Sequence, residues 1–357
     1  MHISHLLGQN SFIYLIILMN NLEKKYNLML VGTEDRTELI ENIASYLATT
    51  LETPLVEIMP YDEFHNECKM ANKESLRGKH VYVISDVINR IPSSTLNPSI
   101  NDKLAFSRYQ LFNALEHGAK TINAVFPMFP YSRADQKESE NKERSLRRPT
   151  SLLELNILQM MVDQLITLDM HNRSSTSSLD KSKINFTDLP TWFVKEVMKD
   201  MIDKNQISFF CTDESKKIPK TAKDFKMKYM NVKIKDTSVE ETEDAVTESY
   251  VLEVERHIIL QDDIDTMTIM KTIENMHTLK PASINVALTH FLGNPAFERL
   301  KKLKSEKIQN VYITNSVRQD NLLDFIKVID TDLFFADKIA SIAKESMDYN
   351  KNPKYVE

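Results

Sequence analysis

Three short stretches of this chain combine residue types that bind phosphate, sugar or cation. Phe129-Pro-Tyr-Ser-Arg-Ala-Asp-Gln-Lys137 follows an apolar run that reads as a buried strand. Ligands of an open α/β sheet gather beyond the carboxyl ends of its strands, so Arg133 and Lys137 would face such a crevice. Two cations there neutralise phosphate oxygens, and a guanidinium can grip two of them at once. Leu168-Asp-Met-His171 ends a second strand-like run. Imidazole and carboxylate are both cation ligands, although a single strand-end histidine is more often structural. Gln261-Asp-Asp-Ile-Asp-Thr-Met-Thr-Ile269 runs from a strand into a helix. Its carboxylates, Asp262 and Asp265 among them, can accept from sugar hydroxyls. The free N–H groups of the helix start, with the hydroxyls of Thr266 and Thr268, can hold a phosphate. Asp265 equally suits the N-cap of that helix.

The elements that must position these residues alternate short β-rich runs with longer helical segments, the pattern of an α/β protein. Nine runs read as strands: Leu28–Val31, Val56–Ile58, Val81–Ile84, Ile122–Phe126, Leu165–Leu168, Ile207–Cys211, Ile258–Leu260, Ile284–Leu288 and Val311–Thr314. They are short and continuously apolar, as strands buried on both faces of a parallel sheet are. Helices are expected over Asp102–His117, from Pro149 through Leu155, Leu158 and Val162, and over Thr266–Met276 and Pro295–Leu303. His80-Val-Tyr-Val-Ile-Ser-Asp-Val echoes His257-Ile-Ile-Leu-Gln-Asp-Asp-Ile, and Thr121-Ile-Asn-Ala-Val-Phe-Pro echoes Ser283-Ile-Asn-Val-Ala-Leu-Thr, in the same order. Two similar halves in tandem explain the echo; chance similarity of buried strands is the other account. A Ser/Thr-rich stretch at Ser174–Ser178 and Pro190 bracket the expected boundary. The divisions are residues 1–27 as an N-terminal extension, 28–185 and 186–345 as the two domains, and 346–357 as a tail. Gln136–Arg148 and the acidic Asp236–Ser249 read as long polar loops, functional or solvated.

Composition narrows the function classes. With 357 residues, 42% hydrophobic and 27% charged, the chain is globular and large enough for two cores. A net charge of −6 gives no general attraction to nucleic acid or anionic lipid. Cys68 and Cys211 are too few for a disulfide framework and form no zinc motif, so a reducing cytoplasmic setting is expected. The apolar run Phe12–Met19 is too short to span a bilayer and lacks the flanks of a signal peptide, so residues 1–18 read as an accessory helix or upstream extension. Only five glycines occur, against roughly 25 expected at average usage. Any phosphate loop here has to work with few glycines.

Taken together, these stretches resemble the phosphoribosyl pyrophosphate synthetases, or ribose-phosphate diphosphokinases, from about Leu28 to Ala340. The pieces that carry the resemblance are Asn101-Asp102, the block from Phe129 to Lys137, Thr167-Leu-Asp-Met-His171, Thr289-His290 and Thr314-Asn-Ser316, with Glu74-Ser-Leu-Arg-Gly78 as a further landmark. The resemblance implies two tandem phosphoribosyltransferase-like domains, each a mostly parallel sheet flanked by helices. It implies transfer of the diphosphoryl group of Mg-ATP to ribose 5-phosphate, with ATP bound in the first domain and ribose 5-phosphate in the second. It also implies oligomers, of this chain or with a paralogue.

By the same resemblance, Arg133, Lys137, Phe64 and Glu67 would bind ATP, and His171 and Asp213 would organise Mg2+. Lys235 would be the catalytic lysine, and Asp262, Asp265, Thr266 and Thr268 would hold ribose 5-phosphate. The match has gaps. Ala134 stands where the family has glutamine, and Thr237 where it has arginine. The family's Asp-Asp-x-x-Asp-Thr-x-Gly-Thr reads here Gln261-Asp-Asp-Ile-Asp-Thr-Met-Thr-Ile269, and Phe64-His-Asn-Glu67 is one residue short. Met267 and Thr268 bring Cβ atoms toward a phosphate that small residues admit more closely. The acidic loop after Lys235 would repel the phosphates that positive charge must stabilise. These departures leave a second expectation beside the enzyme: a catalytically weak or silent member serving as a regulatory or structural subunit.

Overall fold

The structure is a computed structural model and describes residues 27–32, 37–51, 57–60, 62–64, 67–69, 75–88, 99–132, 150–168, 170, 180, 182–187, 207–212, 228–235, 238–241, 256–263, 283–291, 308–318 and 322–351. The first part of the chain contributes β1 (Leu28–Gly32), α1 (Thr37–Thr50), β2 (Glu57–Pro60), β3 (Asp62–Phe64), β4 (Glu67–Lys69), β5 (His80–Ile84), α2 (Ile100–Glu116), β6 (Thr121–Met128), α3 (Thr150–Gln159), β7 (Gln164–Leu168) and β8 (Ile184–Thr187). The second part contributes β9 (Ile207–Thr212), β10 (Lys228–Lys235), β11 (Ser238–Glu241), β12 (Arg256–Asp263), β13 (Ser283–His290), β14 (Ile308–Thr314), β15 (Ile326–Ile329) and α4 (Asp332–Lys351). All nine expected strands form.

The strands build a six-stranded sheet in the order β2-β1-β5-β6-β7-β8 and a seven-stranded sheet in the order β11-β10-β9-β12-β13-β14-β15. Every pairing in the first sheet is parallel, and in the second only β10–β11 is antiparallel. The sequence echo has a topological counterpart. β5 and β12 are each the strand at which the chain crosses back over its first strand, and β6 and β13 follow next in their sheets.

Successive side chains of a strand point to opposite faces, so an all-apolar strand feeds two cores. Met29, Val31, Val81, Val83, Ile122, Ala124 and Phe126 fill one side of the first sheet with Leu104 and Leu111 of α2 and Leu155 and Leu158 of α3. Leu28, Leu30, Tyr82, Ile84, Val125 and Ile166 fill the other. There they meet Ile40, Ile43 and Leu47 of α1, together with Phe335, Ile339 and Ala343 of α4. These α4 residues recur every four positions, which places them on one helical stripe.

α4 therefore follows the second sheet in sequence but packs on the first. The expected divisions at 185/186 and 345/346 fall inside β8 and inside α4. Two expectations are corrected. The polar stretch from Asp236 to Ser249 is not loop throughout, because Ser238–Glu241 forms edge strand β11. An edge strand has one hydrogen-bonded neighbour and tolerates charged residues that a central strand excludes. Val162, expected to continue the third helix, lies beyond the end of α3 at Gln159. The segments expected as helices at Thr266–Met276 and Pro295–Leu303 lie outside the described residues.

α2 is fixed at both ends by its sequence. At the start, Asp102 N donates to Ser99 Oγ at 3.2 Å and Ser99 N donates to Asp102 Oδ2 at 2.8 Å, a capping box. The Ser99 hydroxyl, which donates to Asp102 Oδ2 at 2.7 Å, and after it the Ser99 N–H hold the Asp102 carboxyl below its ordinary pKa. At the end, Gly118 N donates to Leu115 O and Ala119 N to Ala114 O, with Gly118 at φ 71°. That is a Schellman stop, and its left-handed residue is glycine because a Cβ is strained there. Gly118→Ala is expected to lower stability by about 1 kcal/mol, read from the urea midpoint; an unchanged midpoint would mean that the helix end relaxes freely.

Candidate functional site

An open parallel sheet binds ligands beyond its carboxyl edge, where the strand order reverses. In the first sheet the chain moves from β1 out to β2 and then crosses to β5, so the reversal lies between β1 and β5. In the second it moves from β9 to β10 and β11, then returns to place β12 on the other side of β9. The reversal lies between β9 and β12. β9 ends at Thr212, one residue before Asp213, and β12 ends in Gln261-Asp262-Asp263. The register sets Asp263 beside His290 at the end of β13. Two stretches that the sequence marked for cation and sugar binding thus leave adjacent parallel strands at one edge.

Beside that edge the ends of β13 and β14 are locked by buried hydrogen bonds. His290 is only 2% exposed, and its Nδ1 lies 2.8 Å from Ser316 Oγ. Ser316 Oγ also lies 3.1 Å from the Thr289 carbonyl oxygen, to which the Thr314 hydroxyl donates. Ser316 N donates to Thr314 Oγ1 at 3.2 Å. Burial and partners on every side make these groups positioners of the strand ends. The sequence marked Thr289-His290 and Thr314-Asn-Ser316 as separate landmarks; the fold brings them into one network.

Asn315 carries the network across to the first sheet. Its Oδ1 accepts from Thr331 N at 2.9 Å and from Thr331 Oγ1 at 2.6 Å, while its Nδ2 donates to Asp332 Oδ1 at 2.9 Å. Asp332 Oδ2 accepts from Asn42 Nδ2 of α1 at 2.7 Å, and Tyr46 donates to Asp337 at 3.0 Å. Asp330 sits beside this junction, and burial, then the negative charges of Asp332 and Glu38, push its carboxyl above the usual range.

In the first sheet, β6 runs into Phe129-Pro-Tyr-Ser132. Phe129 is fully buried and stacks edge-on against Phe126 at 5.8 Å. Tyr131 adopts φ 55°, the only positive φ among described non-glycine residues. This conformation is uncommon for a bulky side chain. Its hydroxyl donates to Asn101 Oδ1 in the first turn of α2, which brings together two motif pieces 30 residues apart. Burial first, then the Glu154 carboxylate, raise the Tyr131 phenol above its ordinary pKa, with Arg108 opposing. Arg108 and Glu154 form an ion pair joining α2 to α3. The Tyr131 turn leads directly into Arg133. Tyr131→Phe is expected to lower stability by about 1 kcal/mol, read by thermal or urea unfolding; an identical midpoint would mean that the hydroxyl contributes nothing.

The structure places the other expected site residues as follows. Asp262 is the next-to-last residue of β12. Lys235 is the last residue of β10 and stands opposite Ser238 of β11. Phe64 and Glu67 stand opposite each other across the β3–β4 hairpin, which begins two residues after the carboxyl end of β2. Arg133, Lys137, His171, Asp213, Asp265, Thr266 and Thr268 lie outside the described residues. Among the described residues no group of three or more His, Cys, Asp or Glu side chains could hold a metal ion. No described helix is long and apolar enough to cross a membrane.

Residues 28–155 match the family of the N-terminal domain of ribose phosphate pyrophosphokinase. The ribose-phosphate pyrophosphokinase of Corynebacterium efficiens is 26% identical over 296 residues, spanning 80% of this chain and 84% of that protein. The chain resembles the ribose-phosphate pyrophosphokinases as a divergent relative. Its fold agrees: the crystal structure of phosphoribosylpyrophosphate synthetase from Mycobacterium smegmatis superposes with a TM-score of 0.70 at 20% identity, covering 89% of this chain and 99% of that one. A phosphoribosyl pyrophosphate synthase-associated protein 2 of Xenopus tropicalis is 28% identical over 153 residues, 42% of this chain and 37% of that protein. Relatives of this pyrophosphokinase family thus carry both catalytic and associated-protein names.

Proposed function

We propose that this chain is a ribose-phosphate diphosphokinase, which forms phosphoribosyl pyrophosphate and AMP from Mg-ATP and ribose 5-phosphate. The observation that supports this most is the reversal point of the second sheet, where β9 leads into Asp213 and the adjacent β12 ends in Asp262-Asp263. Neighbouring strands lie about 4.8 Å apart, so the two strand ends that lead into these carboxylates and the Thr-rich stretch are close enough to serve one small polar ligand. Asp262 and Asp265 accept from ribose hydroxyls, and Thr266 and Thr268 hold the 5-phosphate. Arg133 and Lys137 bind the ATP phosphates, and Phe64 and Glu67 the adenosine end.

The ribose C1 hydroxyl gives up its proton to solvent as it attacks the β-phosphorus in line; a new O–P bond forms, and AMP departs with the bridging oxygen as the bond from that oxygen to the β-phosphorus breaks. Lys235 stabilises the charge on the transferring group. Carboxylate oxygens are the donors that magnesium prefers. Asp213, with His171 beyond β7, would hold the ion, which supplies charge neutralisation of the phosphates. The ATP site belongs to the domain of the first sheet and the ribose-phosphate site to that of the second, in a cytoplasmic oligomer.

A second reading, a weak or silent subunit acting with a paralogue, is favoured by Met267, Thr268 and Ile269 in the phosphate turn. The likeness to the Xenopus tropicalis associated protein points the same way. The β10–β11 register softens the charge objection to catalysis, because it pairs the position of Glu240 with that of Lys233, a residue of opposite charge.

The test is to incubate the purified protein with Mg-ATP and ribose 5-phosphate. AMP and phosphoribosyl pyrophosphate should appear in equal amounts. Neither product at high protein concentration, with tight association to an active paralogue, would replace the enzyme reading by the subunit reading.

A further inference from the structure

α2 and α3 cover one face of the first sheet, and their inward residues belong to its core. Their outward residues are not those of a solvated layer. Tyr109, Phe112 and Leu115 recur every three positions along α2 and are 55%, 53% and 52% exposed. Leu153 on α3 and Met160 just past its end are 58% and 78% exposed. The only other large exposed apolar residues among those described are Val328 and Leu333, so the exposure is concentrated on this layer. A surface helix ordinarily turns charged and polar residues to water, and a concentrated apolar patch marks a contact surface.

The chain enters the fold beside that layer. Asn27 O accepts from His80 N at 2.7 Å, and Asn27 Nδ2 donates to Gly78 O at 3.4 Å. Gly78 N in turn donates to Gly118 O at 2.9 Å. Gly118 stops α2 three residues after Leu115. Upstream of Leu28 come the eight polar-rich residues Asn20–Asn27, and before them the uncharged apolar run Phe12–Met19. Eight residues reach about 26–29 Å when extended. The face from Leu115 back to Tyr109 needs only about 9 Å of helix.

We propose that residues 12–19 of this chain pack on the apolar outer face of α2 and α3. Tethering sets the choice of occupant. A segment on a short linker meets the face at an effective concentration of order millimolar, well above that of free protein. The polar linker suits the rim, and the pliant Met160 side chain suits a docking surface.

Hydrogen–deuterium exchange of the full-length protein tests this. Amides of residues 12–19 should exchange at least tenfold more slowly in the native chain than in Phe112→Glu/Leu115→Glu, equally at low and high protein concentration. The sedimentation mass should be unchanged. Both substituted side chains are more than half exposed, so the fold should persist. Ile16→Glu approaches the contact from the other side and leaves the helices unaltered. It should raise hydroxyl-radical labelling of Phe112 and Met160 several-fold. Fast exchange of residues 12–19 in the native chain, or labelling unaffected by Ile16→Glu, overturns the proposal. Protection that appears only with dimerisation also overturns it and assigns the face to a second copy.

Discussion

Phe335→Ala should lower the stability of the chain by about 3–5 kcal/mol, the range for removing a buried phenylalanine. Phe335 is fully buried, stands edge-on to Phe334 at 5.4 Å, and shares a core with Leu30, Ile43 and Leu47. Alanine leaves a cavity that β1 and α1 cannot close without giving up their own contacts. The loss should appear as a lower urea midpoint with little change in slope, and α4 should become the first helix to exchange its amides. A loss under about 1 kcal/mol, well below that range, would mean that α4 is not seated on the first sheet.

Lys235→Ala should reduce diphosphoryl transfer by about 100- to 1,000-fold, the usual effect of removing one group that stabilises transition-state charge. Lys235 ends β10, three residues before the edge strand β11, and is paired with β11 alone, so the substitution lies outside the parallel ladder from β10 to β9. The melting temperature should stay within a few degrees of the native value. Substrate KM values should change little, because charge that develops only in the transition state lowers kcat and leaves binding alone. If kcat falls less than tenfold, Lys235 is not the catalytic lysine and the charge must come from elsewhere, Arg133 and Lys137 being the first alternatives.

The strands were legible where they are apolar on both faces. Leu28–Val31, Val81–Ile84 and Ile122–Phe126 carry no polar side chain except Asn123 and Tyr82, and all lie in the middle of the first sheet. β3, β4, β8, β11 and β15 escaped for the opposite reason. Asp-Glu-Phe, Glu-Cys-Lys, Ile-Asn-Phe-Thr, Ser-Val-Glu-Glu and Ile-Lys-Val-Ile sit in a two-stranded hairpin or at sheet edges. Strands there need no continuous apolar signal. The candidate site was legible in pieces, as short motifs at strand ends, because strand termini can be read locally. Tyr131 and Asn101 each sat inside a recognised motif, yet nothing in either motif announced that they touch.

The sequence by itself determined the α/β class, the buried strands, the two-fold repetition and the resemblance to the ribose-phosphate pyrophosphokinases, since each depends on local pattern or on residues read in order. Only the tertiary structure decided the strand order that sets Asp262 beside the end of β9, and the return of α4 to the first sheet. The apolar stripe of Phe335, Ile339 and Ala343 demands burial but carries no address. Hydrophobic burial is non-directional, so the stripe alone does not name the sheet it meets. The polar chain from Asn315 through Asp332 to Asn42 then fixed that choice with directional bonds.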